Sequence, residues 1–168
     1  MTTVEPKSGQ QSEGLSFETF FVSTFPRARA VAARIVGPGP AEDLAVEGLA
    51  RAYARWKTVA KMEYPEAWVM RVVTNASLDE IRRKKAYLPS ITIADVEADL
   101  TVRANVVEAL RTLPRRQQEV VVLRYIVDLP EAEVGRILGM SMGTVKTHLH
   151  RAMPRLRTHM TQNKEDSL

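Results

Sequence analysis

Ser141, Thr144, Lys146, Thr147, His148, His150, Arg151 and Arg155 sit in one stretch, interleaved with an apolar set at helical spacing, Val145, Leu149, Ala152 and Leu156. A helix that buries the apolar stripe presents the polar set outward. Lysine and arginine can grip phosphates or guanine edges, and threonine can do either. Ser141 is a good N-cap, and the N–H groups and dipole of a helix opening there attract phosphate. His148 and His150 can touch phosphates or stand in solvent. They are two residues apart, so they point to different sides of a helix and do not make a metal site. A second basic group, Arg82-Arg83-Lys84-Lys85, ends a helical pattern along which Arg71, Asn75, Leu78, Asp79 and Arg82 share one side. With Tyr64 and Trp68 nearby, such a helix end could hold single-stranded DNA through phosphate contacts and a base pocket. Trp68 on its own reads as core.

Other chemistries lack material. The chain has no cysteine, which removes disulfides, zinc fingers and thiol nucleophiles. Its 3 histidines all fall between His148 and His159. No carboxylate cluster for a metal, no phosphate-binding glycine loop and no nucleophile beside a base is evident, so no catalytic residue, metal or cofactor is expected. The chain is not expected to be an enzyme.

In 168 residues there are 24 Lys+Arg and 20 Asp+Glu, a net charge of +4, with 45% hydrophobic and 26% charged residues. This is a globular composition. The small excess of positive charge matters through its placement, at Arg82 to Lys85 and along Lys146 to Arg157, while acid gathers at Asp95, Glu97 and Asp99. No apolar run approaches the ~20 residues that span a bilayer. The polar Met1 to Gly14 segment is not a signal peptide. A cytoplasmic protein without membrane insertion is expected.

The elements that position these residues read as helices throughout. Phe17, Phe20, Phe21, Thr24, Ala28, Val31, Ala32 and Ile35 share one helical face, with Pro26 predicting a break or kink near Thr24. Gly37-Pro38-Gly39-Pro40 is a stop signal. A second helix is expected from about Ala41 to Trp56, with Glu42 and Asp43 near its positive end and Ala45, Leu49, Ala52, Tyr53 and Trp56 facing inward. Gly48 costs about 0.5–1 kcal/mol of helix propensity relative to alanine, so that helix is expected to depend more on its partner. Asp43, Glu47 and Arg51 form a polar stripe at four-residue spacing, which ordinary intrahelical ion pairs would explain. Pro65 opens a third helix running into the basic group. The pattern fades from Ala86 to Thr101 in what reads as an acidic linker, where Ile91-Thr92-Ile93 is too short to build a sheet. Val106, Leu110 and Leu113 mark a further helix, Pro114 opens the next, and Leu129-Pro130-Glu131 starts a short one carrying Val134, Ile137 and Leu138. Gly139 is a natural C-terminal stop. A short helix, a glycine turn and a longer capped helix make a helix-turn-helix. Pro154, inside the last helix, predicts a kink or an end there.

The fold expected is therefore all-α, two small helical domains joined by a flexible acidic linker. The boundaries are a disordered tail at 1–14, a first domain at 15–87, the linker at 88–102, a helix-turn-helix domain at 103–160 and a tail at 161–168.

Gly143-Thr144-Val145-Lys146-Thr147-His148-Leu149 looks like the reading helix of LuxR-type regulators, which keeps a stand-alone helix-turn-helix regulator open as an alternative. The upstream motifs discriminate. Ala41 to Tyr53 resembles the core-polymerase-binding helix of sigma-70 family initiation factors. Ala67-Trp68-Val69-Met70-Arg71 and Asn75 to Arg83 resemble that family's promoter-melting, minus-ten-reading helix. Leu113 to Val120 followed by Leu123-Arg124-Tyr125 resembles the opening of its region four. Order, spacing and acidic linker resemble the extracytoplasmic-function class, of the small actinobacterial SigE-like type, over about Ser16 to Arg157. The resemblance implies core RNA polymerase, through its β′ coiled coil and β flap, as a partner. It also implies promoter DNA and an anti-sigma factor or other regulator. Asp43, Glu47, Leu49 and Arg51 would then bind polymerase, and Lys61, Tyr64, Arg71, Asn75, Asp79, Arg82 and Arg83 the minus-ten element. The outward set from Ser141 to Arg155 would bind the minus-thirty-five element. Val46 stands where the family often has glutamine, and Gly48 where it often has threonine.

Overall fold

The computed structural model describes residues 14–83 and 104–165. The expected linker, Ile91-Thr92-Ile93, Lys84, Lys85 and all but Gly14 of the N-terminal tail lie outside the described residues. Within them the chain is helical: α1 (Phe17–Val36), α2 (Pro38–Ala54), the single turn α3 (Trp56–Val59), α4 (Pro65–Arg83), α5 (residues 104–111), α6 (Arg115–Val121), α7 (Glu131–Leu138) and α8 (Met142–Glu165). The all-α expectation holds, and no strand occurs among the described residues.

In the N-terminal half, α1, α2 and α4 pack on one another. Ser16 caps α1, its hydroxyl accepting from Thr19 N. Phe20, Thr24, Ala28, Val31, Ala32 and Ile35 are buried, as the periodicity predicts. Pro26 does not break the helix. The bond it cannot donate would run to the carbonyl of Val22, a residue 73% exposed, so the loss falls on the wet side of α1. Burial of Phe20, Val31 and Ile35, at roughly 1.5–3 kcal/mol each, outweighs a proline cost of about 3 kcal/mol.

Gly37, at φ 86°, turns the chain, and Pro38 then occupies the first position of α2. The helix thus starts before Ala41, which puts Glu42 and Asp43 in its second turn rather than its first. Ala45, Leu49 and Ala52 are buried as expected, but Trp56 is half-buried and Tyr53 is 66% exposed. The Tyr53 ring instead lies 4.9 Å from that of Phe17, at the rim of an aromatic group with Phe20, Phe21 and Trp56. Gly48 is buried where α2 meets α4, and a β-carbon there would come within 2.5 Å of Val73 Cγ2. The glycine exists for close approach between helices, a use that its propensity cost conceals.

In the C-terminal half, α6 and α7 pack under α8. Pro114 and Pro130 each precede the helix they were expected to open. The turn of helix after α6 widens to π geometry over Val122–Ile126. Asp128, at φ 64°, ends it in the left-handed region that short polar side chains tolerate. The buried side chains of the two halves join in one hydrophobic cluster.

Candidate nucleic-acid interface

The helix-turn-helix is built from backbone contacts. Val134, Ile137 and Leu138 of α7 are buried together with Val145, Leu149 and Ala152 of α8. Gly139 takes φ 65°, ψ 41°, and its N–H donates to the carbonyl of Gly135. Met140 N donates to that same carbonyl at 2.8 Å. Ser141 then caps α8: its Oγ accepts from Thr144 N at 3.1 Å, and its carbonyl accepts from Val145 N at 3.0 Å. Gly139 and Ser141 do what the sequence reading assigns to them. Gly135, where an added β-carbon would meet Met140 O at 2.6 Å, was not anticipated. It looks like any residue of a helix until the turn folds back on it.

On α8, Ser141, Thr144, Lys146, Thr147, His150, Arg151 and Arg155 are exposed, while Leu156 is half-buried beneath them. Thr147 Oγ1 donates to Gly143 O at 2.9 Å, and Lys146 Nζ lies 3.8 Å from Glu131 Oε2. His148 departs from the outward set. It is half-buried, and its Nδ1 is covered without a hydrogen-bond partner. Pro154 neither ends α8 nor parts Arg155 from it, because the unmade bond would run to the carbonyl of exposed His150. The helix continues through Thr161 to Glu165, so that part of the expected tail is helical.

The second basic face lies on α4. Lys61, Tyr64, Asp79, Arg82 and Arg83 are exposed, and Arg71 and Asn75 half-buried. Leu78 is buried and leaves the polar side. Trp68 is half-buried and packs on the core, as expected of it. Arg83 pairs with Glu80. A hydrogen bond to Glu63 raises the Tyr64 hydroxyl pKa above its ordinary value, with the Glu63 charge adding to the effect.

Groups from the C-terminal half reach this face, which no sequence spacing indicated. Arg115 donates to Asp79 Oδ1 at 2.9 Å, to Asn75 Oδ1 at 2.9 Å and to Asn75 O at 3.0 Å. Arg82 donates to Gln118 Oε1 at 3.0 Å, and Arg111 to Ile81 O at 2.9 Å. The Arg136 guanidinium lies over the Tyr64 ring, 4.9 Å from its centroid. Glu133 pairs both with Arg136 and, at 2.5 Å, with Arg27 of α1.

On α2, Asp43, Glu47 and Arg51 form an exposed stripe, with Arg51 bonded to Glu47 at 2.5 Å. Leu49 does not belong to it. It is fully buried between helices and faces the core. Exposed Val46 and Tyr53 add apolar surface to the same helix. Among the described residues no group of acidic or histidine side chains could hold a metal, and no helix is long and apolar enough to cross a membrane.

The sequence matches Sigma-70 region 2 over residues 20–87 and Sigma-70, region 4 over residues 103–156. It is 35% identical to the RNA polymerase sigma-E factor of Streptomyces coelicolor over 92% of each chain. The chain belongs to the extracytoplasmic-function class of sigma-70 factors. A more distant relative is the ECF RNA polymerase sigma factor SigW of Bacillus subtilis, 29% identical over 71% of this chain and 75% of that one. The fold is shared with CnrH, solved with the cytosolic domain of CnrY (TM-score 0.54, 24% identity, 87% and 88% covered). It is also shared with the Bartonella quintana sigma factor RpoE, solved with the anti-sigma factor NepR (TM-score 0.51, 21% identity, 86% and 96% covered). As a sigma factor the protein functions in transcription initiation, a DNA-binding initiation factor rather than a classical enzyme. The stand-alone LuxR-like alternative falls, because region two accounts for an N-terminal half that such a regulator leaves unexplained.

Proposed function

We propose a division of labour in which each exposed face of this sigma factor has its own target. The α8 face, Ser141, Thr144, Lys146, Thr147, His150, Arg151 and Arg155, enters the major groove of the minus-thirty-five element, with half-buried His148 at its edge. The α4 face, Lys61, Tyr64, Arg71, Asn75, Asp79, Arg82 and Arg83, captures unstacked bases of the minus-ten element and holds the open strand. On α2, Asp43, Glu47 and Arg51 dock on the β′ coiled coil of core polymerase, and region four meets the β flap. Region two occupies 15–87 and region four 103–160, and the acidic 88–102 linker lies in the RNA channel, where its charge imitates nascent RNA. Catalysis stays with the polymerase, in the cytoplasm.

The observation that carries this reading is the capped α8, whose cationic and hydroxyl side chains stand outward from a packed glycine turn in a chain that belongs to a promoter-reading family. Solved relatives held by an anti-sigma factor, or by the cytosolic domain of another protein, support control of this chain by such a partner. In vitro transcription with core RNA polymerase on a genomic promoter library tests the whole. Promoter-dependent transcripts are expected, and their absence from every template overturns the reading.

A further inference from the structure

We propose that the tip of α8 reads thymine, through apolar contact of Met142 and Thr147 with its C5 methyl group in the major groove. The inference rests on the assignment of the α8 face to the minus-thirty-five element and names what that face recognises. The polar set assigned to duplex DNA leaves out Met142. It is the first residue of α8 and stands 49% exposed. A lone exposed apolar residue is ordinary on a protein surface, but the first residues of a reading helix are the ones that reach base edges. A methionine there offers flexible apolar surface and no strong hydrogen-bonding group. Thymine is the one base that shows a methyl group in the major groove.

Thr147 is exposed one turn after Gly143 on the same side of the helix. Its hydroxyl donates to Gly143 O at 2.9 Å. That proton is not offered to guanine O6 or N7, nor to thymine O4. What remains is the methyl group and an accepting oxygen. A T·A pair matches both, with the thymine methyl and the adenine N6 amino group. Gly143 lies between the two readers, and a β-carbon on it would find only Ser141 Oγ, at 3.8 Å. With no side chain there, a base edge can come close to the backbone beside Met142 and Thr147. The neighbouring polar groups are engaged within the chain. Ser141 Oγ and Thr144 Oγ1 share a hydrogen bond at 2.9 Å, and Lys146 has Glu131 as a counter-ion 3.8 Å away. Arg151 and Arg155 follow one and two turns after Thr147, further from the tip. The tip therefore shows DNA a thioether, a methyl and bare backbone.

Enrichment of sites from a random duplex DNA pool by the full-length chain at low salt supplies the probe. Each thymine of the enriched site is then replaced singly by deoxyuridine, which lacks only the C5 methyl. With the parent, affinity is expected to fall about fourfold at one position or more, the effect of losing one buried methyl group. Met142→Leu keeps the apolar surface and should keep this sensitivity, whereas Met142→Gln should lose it. Thr147→Val keeps the methyl without the hydroxyl and should bind as the parent does. Thr147→Ser keeps the hydroxyl without the methyl and should lose the sensitivity. Both residues are exposed, so circular dichroism and thermal unfolding should match the parent in every variant. Three results overturn the inference: a parent indifferent to every deoxyuridine, a sensitivity that survives both Met142→Gln and Thr147→Ser, or weakened binding by Thr147→Val with Thr147→Ser unchanged. In each of these a site has been enriched, so the assignment of α8 to duplex DNA stands. Failure to enrich any site overturns that assignment and the inference together.

Discussion

A β-carbon on Gly135 would lie 2.6 Å from the carbonyl oxygen of Met140, while Met140 N donates to the Gly135 carbonyl at 2.8 Å. Helix and turn thus touch backbone to backbone, with no side chain between them able to rotate aside. On propensity alone an alanine in α7 would gain about 1 kcal/mol. Overpacking a close contact costs about 1–3 kcal/mol, so Gly135→Ala should be net destabilising by chemical denaturation and should weaken duplex binding through a displaced α8. Gly143→Ala is the contrast, since its β-carbon would find only Ser141 Oγ at 3.8 Å. No loss of stability is expected there. Equal stability of Gly135→Ala and the parent would mean that the turn yields freely.

Gly48→Ala tests the same logic between helices. Its β-carbon would press on Val73 Cγ2 at 2.5 Å, and Val73 is a fully buried β-branched residue with little rotamer freedom. A loss of about 1–3 kcal/mol is expected. Pairing it with Val73→Ala should recover part of that loss, giving a favourable coupling in a double-mutant cycle. Additive effects would contradict the contact.

These two glycines mark where sequence reading stops. Periodicity located the inward faces of α1 and α8, and the local signals at Gly139 and Ser141 located the turn and the cap, because each depends on residues close in the chain. Gly48 looks like a helix defect and Gly135 looks like nothing, because both answer to a partner met only on folding. The prolines fail for a related reason. Pro26 and Pro154 break helices when the lost bond is buried, and their spacing does not say that Val22 and His150 face water. Tyr53 shows the limit of pattern reading, since it falls on the inward spacing of α2 yet stands 66% exposed at the rim of the aromatic group, whereas Leu49 is buried as its spacing predicts and departs only from the polymerase-binding set that the resemblance implied. The Arg115 contact with Asn75 and Asp79 crosses from one region to the other, and no local spacing encodes it.

The α8 face makes a prediction about kind of contact. Lys146→Ala and Arg151→Ala remove exposed cations, so neither should alter stability beyond about 0.5 kcal/mol. If either reads a base edge, affinity for the cognate duplex should fall by about 1–3 kcal/mol and discrimination at one base pair should relax. A phosphate contact instead weakens all sequences alike and lowers the salt slope of log Kobs by about 1. Titrations at several salt concentrations against cognate and scrambled duplexes separate the two. Unchanged binding by both variants would remove α8 from the interface.

The last prediction concerns docking on polymerase. Asp43 is exposed on α2 and has no part in the core, whereas its neighbour Leu44 is buried. Asp43→Arg reverses a charge on that face and leaves the Glu47–Arg51 pair one turn away intact. Thermal unfolding should therefore match the parent, while affinity for core RNA polymerase falls at least tenfold, equivalent to about 1.4 kcal/mol. Leu49→Ala should show the opposite division. It leaves a cavity worth about 2–5 kcal/mol of stability but does not touch the docking stripe, so any assembly defect should track the unfolded fraction. Holoenzyme assembly that is unaffected by Asp43→Arg would place the docking surface elsewhere than on the Asp43, Glu47 and Arg51 stripe.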